Sequence, residues 1–130
     1  VDLATLTGAI IIGLGHENAG VFSNNDPFCN AFLKAASAEA EGAWRMPLGQ
    51  AYDDQLKSRV ADMKNVGGRW GGAITAAKFL EEFVDADRPW AHLDIAGPSY
   101  ATAWHGYRSR GGVGFGVRLL LDWATARANR

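Results

Sequence analysis

The residues most able to do chemistry sit in "PWAHLDIAG" (residues 89–97), where His92 and Asp94 are spaced to leave one face of a strand together. Imidazole and carboxylate both suit divalent metals, so the pair offers two candidate ligands. Two ligands do not complete a site, and a His–Asp pair that packs a sheet against a helix is the preferred reading. Adding Ser23 supplies the residue types of a hydrolytic triad, but no strained elbow of the GxSxG kind surrounds that serine. "HENAG" at His16 matches half of a zincin motif and lacks the second histidine four residues after the first. In "NVGGRWGGAITAAKFLEEF" (residues 65–83), four glycines fall within the six positions Gly67 to Gly72, just ahead of a helical pattern. Neither this cluster nor "RGGVGFG" (residues 110–116) fits the Walker or the dinucleotide spacing. Close backbone approach at packed turns is their expected job. Asp62 and Asn65 precede the glycines in a strand or turn, where a solvated or capping role is expected. These residues alone make no complete catalytic constellation.

The elements that must position them alternate along the chain. "VDLATLTGAIIIGLG" opens with strand-forming residues; Thr7-Gly8 reads as a turn, and Ala9 to Leu14 suits either a strand or a short helix. Gly20 to Ser23 is a short strand. Asn25 or Asp26 can cap the helix that follows, and Pro27 fits its first turn. Phe28, Phe32, Leu33 and Ala36 share one face of that helix, and Gly42 should end it. "AWRMPL" is a strand stopped by Pro47, and Gln50 to Arg59 forms a helix with a weak apolar face. Over Ala73 to Val84, the residues Ile74, Ala77, Leu80, Phe83 and Val84 line one side of a helix. In the strand "PWAHLDIAG", Trp90, His92 and Asp94 face one way and Ala91, Leu93 and Ile95 the other. Val117, Leu120, Leu121 and Ala124 are the expected apolar face of a C-terminal helix. This alternation predicts an α/β fold, a layered α/β/α sheet with flanking helices, with residues 1–130 as one unit.

Composition narrows the function classes. The chain has 130 residues and a formal charge of −1, so it lacks the concentrated basic face that non-specific nucleic-acid binding needs. Cys29 is the only cysteine, which rules out an internal disulfide and a cysteine-built zinc site. No apolar run reaches membrane-spanning length and no signal-like segment stands out, so a cytoplasmic setting is expected. The chain begins at Val1, inside a strand pattern, and reads as a fragment. A sheet cut there should leave an unpaired strand edge or exposed apolar surface.

Several stretches resemble the leucyl aminopeptidase (M17 cytosol aminopeptidase) family in order and spacing. They are "DLATLTGA" (residues 2–9), "MPL" followed by Tyr52, Ala61-Asp62, the glycine-rich run from Asn65 to Leu80, and "PWAHLDIAG". The resemblance covers essentially the whole chain, as the C-terminal part of that family's catalytic domain. It implies an exopeptidase that removes N-terminal, leucine-like residues from peptides with two divalent ions, zinc or manganese, and assembles as a hexamer. The family's metal-binding motifs, similar to "GKGxTFDSGG" and "NTDAEGR", lie upstream of the "ATLTGA" run and are absent here. The resemblance therefore assigns no catalytic and no metal-binding residue to this chain, and the isolated chain is expected to be inactive.

What it does assign is a substrate floor. The backbone of Thr5, Leu6, Thr7 and Gly8 would hydrogen-bond the bound peptide, with the Leu6 amide near a bicarbonate that serves as base. Ala96 would line the pocket for the N-terminal side chain. Ser99 would line it three positions on, where relatives often carry an apolar residue. Val113 replaces a threonine common in relatives, a change with no mechanistic reading. Arg69 would contact a neighbouring subunit. The alternative function is a non-catalytic module that binds peptides or assembles with partners.

Overall fold

The computed structural model describes residues 1–129, and its elements follow from local chemistry. Strand β1 (Asp2–Ala4) runs into Thr7, whose side-chain oxygen accepts the Ile10 N–H at 3.1 Å and so caps helix α1 (Gly8–Leu14). That cap settles the ambiguous "AIIIGL" run as helix. Ile10 is buried, while Ile12 points outward and is 90% exposed. Strand β2 (Ala19–Ser23) is buried along its whole length. Helix α2 (Asp26–Ala38) starts where the Asn25 side chain accepts the Phe28 N–H, with Pro27 in its first turn. Strand β3 (Ala43–Arg45) follows, then a 3₁₀ helix (Gln50–Leu56), helix α3 (Gly72–Glu81) and strand β4 (Ala91–Asp94). A two-stranded ribbon, β5 (Tyr100–Ala101) with β6 (Gly111–Gly112), precedes helix α4 (Val117–Ala128).

The main sheet has the order β1-β4-β2-β3. β1 pairs parallel with β4, β4 antiparallel with β2, and β2 parallel with β3. Val21, Ala91 and Leu93 meet α2 and α4 on one face; Phe22 meets α1 and α3 on the other. This is the expected α/β/α layering, and the expected alternation along β4 holds as well. Among the described residues, β1 lies at one edge of the sheet and bonds only to β4.

Several boundaries and faces differ from the sequence reading. Helix α2 stops at Ala38, not Gly42, because Ala40 already adopts a left-handed φ of 52°. Gln50 to Arg59 forms the tighter 3₁₀ helix and ends at Leu56, in keeping with its weak apolar face. Helix α3 ends at Glu81, so Phe83 leaves the helical face and is 74% exposed. On α4 the buried residue is Leu119, with Leu120 and Trp123 beside it, while Val117, Leu121 and Ala124 face outward. The run "VRLLLDWATA" offers two apolar stripes of helical period. Trp123 chooses between them by stacking on Phe32 at 4.5 Å and meeting Phe28 edge-on at 5.4 Å.

Candidate functional site

Parallel pairing of β1 with β4 brings the C-terminal ends of both strands to the same rim of the sheet. Ligands of open α/β sheets sit beyond such strand ends. Thr5 to Gly8 leave β1 there, and Ile95 to Ser99 leave β4 there. Thr5, Leu6 and Gly8 are exposed, and Thr7, Ala96 and Ser99 are half-buried. The six residues assigned by resemblance to a substrate floor thus form two neighbouring segments on one rim.

Asp94 joins those segments. It is fully buried at the last position of β4. Its Oδ1 accepts the Leu6 N–H at 3.1 Å and the Ala96 N–H at 3.2 Å, and its Oδ2 accepts the Thr7 hydroxyl at 2.7 Å. The Thr7 oxygen is used twice, as a donor to Asp94 and as the acceptor that caps α1. One carboxylate therefore fixes the loop after β1, the start of α1 and the turn after β4.

A second brace lies alongside. The His16 ring Nδ1 is 3.0 Å from the Gly97 carbonyl, which can only accept, so Nδ1 carries the proton. A Cβ on Gly97 would strike the Gly15 carbonyl oxygen and press on the His16 backbone. Glycine is therefore required where the turn after β4 passes the end of α1.

His92 and Ser23 form no triad. The Ser23 hydroxyl donates to the Trp90 carbonyl at 2.6 Å, and His92 Nδ1 donates to Asp2 Oδ1 at 2.5 Å. Asp2 Oδ2 also accepts the Trp90 indole N–H at 2.7 Å. His92 is completely buried beside the rings of Phe22 and Trp90, and its Nε2 has no partner among the described residues. Burial pushes the Asp2 carboxyl upward, but the His92 hydrogen bond and charge and the Trp90 hydrogen bond outweigh it. The Asp2 pKa ends below the ordinary carboxylate value.

These engagements bear on metal binding. Both Asp94 oxygens are taken by donors of the chain, and His92 spends one nitrogen on Asp2 and encloses the other in aromatic packing. Among the described residues, no three His, Cys, Asp or Glu side chains converge as a metal-holding group. The described residues do not fit a metal pair. Asp62 and Asn65 are exposed in bends and border a cavity of about 450 Å³ with Met63, Phe79 and Phe83.

The glycine cluster acts in packing. Gly71, at a φ of 68°, precedes the first turn of α3, and a Cβ on Gly72 would press on the Ala9 methyl at 3.2 Å. Gly72 thus lets α3 cross close to α1. Arg69 lies over the Trp70 ring at 5.3 Å, beside an apolar groove bordered by Ile12, Met46 and Ile74.

The sequence reading missed Glu41. It is buried, and its carboxylate accepts the Gly116 and Leu119 N–H groups, each at 3.0 Å. It caps α4 from more than seventy residues away, and the only local hint was that Gly116 offers no side chain to do so.

Comparison with known proteins gives the family and the fold. The model of the cytosol aminopeptidase family catalytic domain matches residues 1–121. A probable cytosol aminopeptidase of Dinoroseobacter shibae is 66% identical over 120 residues, which are 92% of this chain and 25% of that protein. One from a Synechococcus species is 56% identical over 98% of this chain and 26% of its own length. The chain thus spans about a quarter of the length of the curated relatives it matches. Among solved structures, a lysine-to-glutamate mutant of tomato leucine aminopeptidase superposes with a TM-score of 0.90 at 45% identity, covering 96% of this chain and 24% of that one. The bottromycin maturation enzyme BotP in complex with Mn gives 0.91 at 40% identity, covering 98% and 28%. A match of this extent, with the "TLTG" and "DIAG" segments on one rim of the same layered sheet, means that the chain belongs to the cytosol aminopeptidase (M17) family.

Proposed function

We propose that this chain is the C-terminal portion of the catalytic domain of a metal-dependent aminopeptidase, and that it supplies the surface on which the peptide lies. Thr5, Leu6, Thr7 and Gly8 hold the substrate main chain through backbone groups, as an open strand end can without reading side chains. Ala96 and Ser99 line the pocket for the N-terminal side chain, and the small Ala96 leaves room for leucine-sized groups. The observation that carries this reading is the joining of both segments at one rim through Asp94.

Two divalent ions, zinc or manganese, supply Lewis-acid chemistry and an activated water when bound. This reading places their ligands outside the chain, and the commitment of Asp94 and His92 to partners within it supports that. The Leu6 amide would reach a bicarbonate only as a donor shared with Asp94. The proposed setting is cytoplasmic; among the described residues, no helix is long and apolar enough to cross a membrane. The proposed assembly is a homo-hexamer, with exposed Ile12, Trp70 and the neighbouring Arg69 on a contact face.

The test is hydrolysis of a leucine anilide with added manganese or zinc, together with a count of bound metal. It is run on this chain and on the complete reading frame that encodes it. Metal-dependent turnover by the complete frame, with neither turnover nor stoichiometric metal in the 130-residue chain, is expected. Turnover by the short chain would place the ligands here, and an inert complete frame would end the peptidase reading.

A further inference from the structure

We infer that Asp94 is the positioning residue that sets substrate selectivity, by holding the main-chain floor and the side-chain wall at a fixed separation. The inference rests on the proposed peptidase reading. The floor, Thr5 to Gly8, and the wall, Ala96 to Ser99, lie almost ninety residues apart in sequence, and each leaves its own strand as a loop. Loops after strand ends are mobile unless their polar groups are tied to something rigid. Here the tie is one fully buried carboxylate on the best-covered strand of the sheet, bonded to β1 on one side and β2 on the other.

The three hydrogen bonds have distinct roles. Leu6 N–H on Oδ1 fixes the plane of the floor peptide. Ala96 N–H on the same oxygen fixes the wall, so both segments are referred to one atom. The Thr7 hydroxyl on Oδ2 prevents the carboxylate from rotating, and through its second bond it sets the first turn of α1. Asp94 touches no substrate in this arrangement. It acts through Leu6, Thr7 and Ala96.

Two sets of variants in the complete reading frame test the inference. Asp94→Asn keeps one oxygen for the two amides but turns an NH₂ toward a Thr7 oxygen that already accepts the Ile10 N–H. Thr7→Val removes the hydroxyl, whereas Thr7→Ser keeps it. We expect Asp94→Asn and Thr7→Val each to raise KM for a leucine anilide by about tenfold, the scale of one lost hydrogen bond to a charged group. The preference for leucine over alanine anilide should shrink by about fivefold, because a loosened wall no longer measures side-chain size. kcat should fall less than KM rises, bound metal should stay at the wild-type count, and Thr7→Ser, which keeps the hydroxyl, should recover most of the leucine preference that Thr7→Val loses.

A merely structural Asp94 would lower thermal stability without moving KM or the leucine-to-alanine ratio, and that result overturns the inference. So does a Thr7→Ser protein as impaired as Thr7→Val. Loss of bound metal in Asp94→Asn would also overturn it, since Asp94 would then act on the ions. An inactive wild-type frame is a different outcome: it removes the peptidase reading and this inference with it. Should Asp94→Asn fail to fold, the leucine-to-alanine ratio of Thr7→Val is read instead, and a ratio equal to that of wild type overturns the inference.

Discussion

Removal of the Glu41 carboxylate should unfasten α4 from the sheet. Its two oxygens accept the N–H groups of Gly116 and Leu119, the donors at the N-cap and third positions of a helix with no capping side chain of its own. Glu41 and Leu119 are buried, so water does not replace the lost acceptor without opening the contact. A hydrogen bond to a charged acceptor contributes about 1.5–3 kcal/mol, and an orphaned buried donor costs about 1–3 kcal/mol. The negative charge also sits at the positive end of the helix dipole, worth about 0.3–1 kcal/mol. Allowing for non-additivity, Glu41→Ala should cost about 4 kcal/mol, a large part of the ~5–15 kcal/mol that holds a domain folded. Glu41→Gln keeps one acceptor and turns a donor toward the other N–H, so about half that loss is expected. With a urea m-value of about 2 kcal/mol per molar, the Glu41→Ala midpoint falls by about 2 M and that of Glu41→Gln by about 1 M. Exposed Glu82 is the control, and its alanine variant should stay within about 0.5 kcal/mol of the parent. A Glu41→Ala midpoint within 0.5 M of wild type, on the order of 1 kcal/mol, would refute the reasoning.

Two further expectations concern packing and pH. Leu119→Ala should cost about 2–5 kcal/mol in chemical denaturation, whereas Leu121→Ala, at a side chain 68% exposed, should cost no more than about 0.5 kcal/mol; the reverse order would restore the stripe read from sequence. Asp2 has a folded pKa below its ordinary value, so its pairing with His92 and Trp90 contributes stability above the unfolded carboxylate pKa of about 3.9. That contribution is lost as pH falls through the lower folded value. The denaturation midpoint of wild type should exceed that of Asp2→Asn at pH 7, and the gap should close on acidification below about pH 4. A gap unchanged down to pH 3 would contradict the assignment.

The sequence by itself determined the layered α/β class, most of the elements and the family. Strand alternation is visible in "AHLD", helix starts are marked by Asn25 with Pro27, and the "TLTG" and "DIAG" stretches are legible as strings. These are local signals: a period, a cap or a motif can be read within a dozen residues. What the tertiary structure decided is every choice between partners distant along the chain. Sequence read His92 and Asp94, two residues apart on one strand face, as a packing pair without saying what either packs against. The fold sends one to Asp2 and the other to Leu6, Thr7 and Ala96, because parallel pairing of β1 with β4 places the strand ends side by side. The same holds for α4, whose two possible stripes are equivalent until Phe32 stacks on Trp123 and Glu41 fixes its first turn. Periodicity specifies that a helix has an apolar face; only the neighbouring side chains and buried hydrogen bonds specify which face it is.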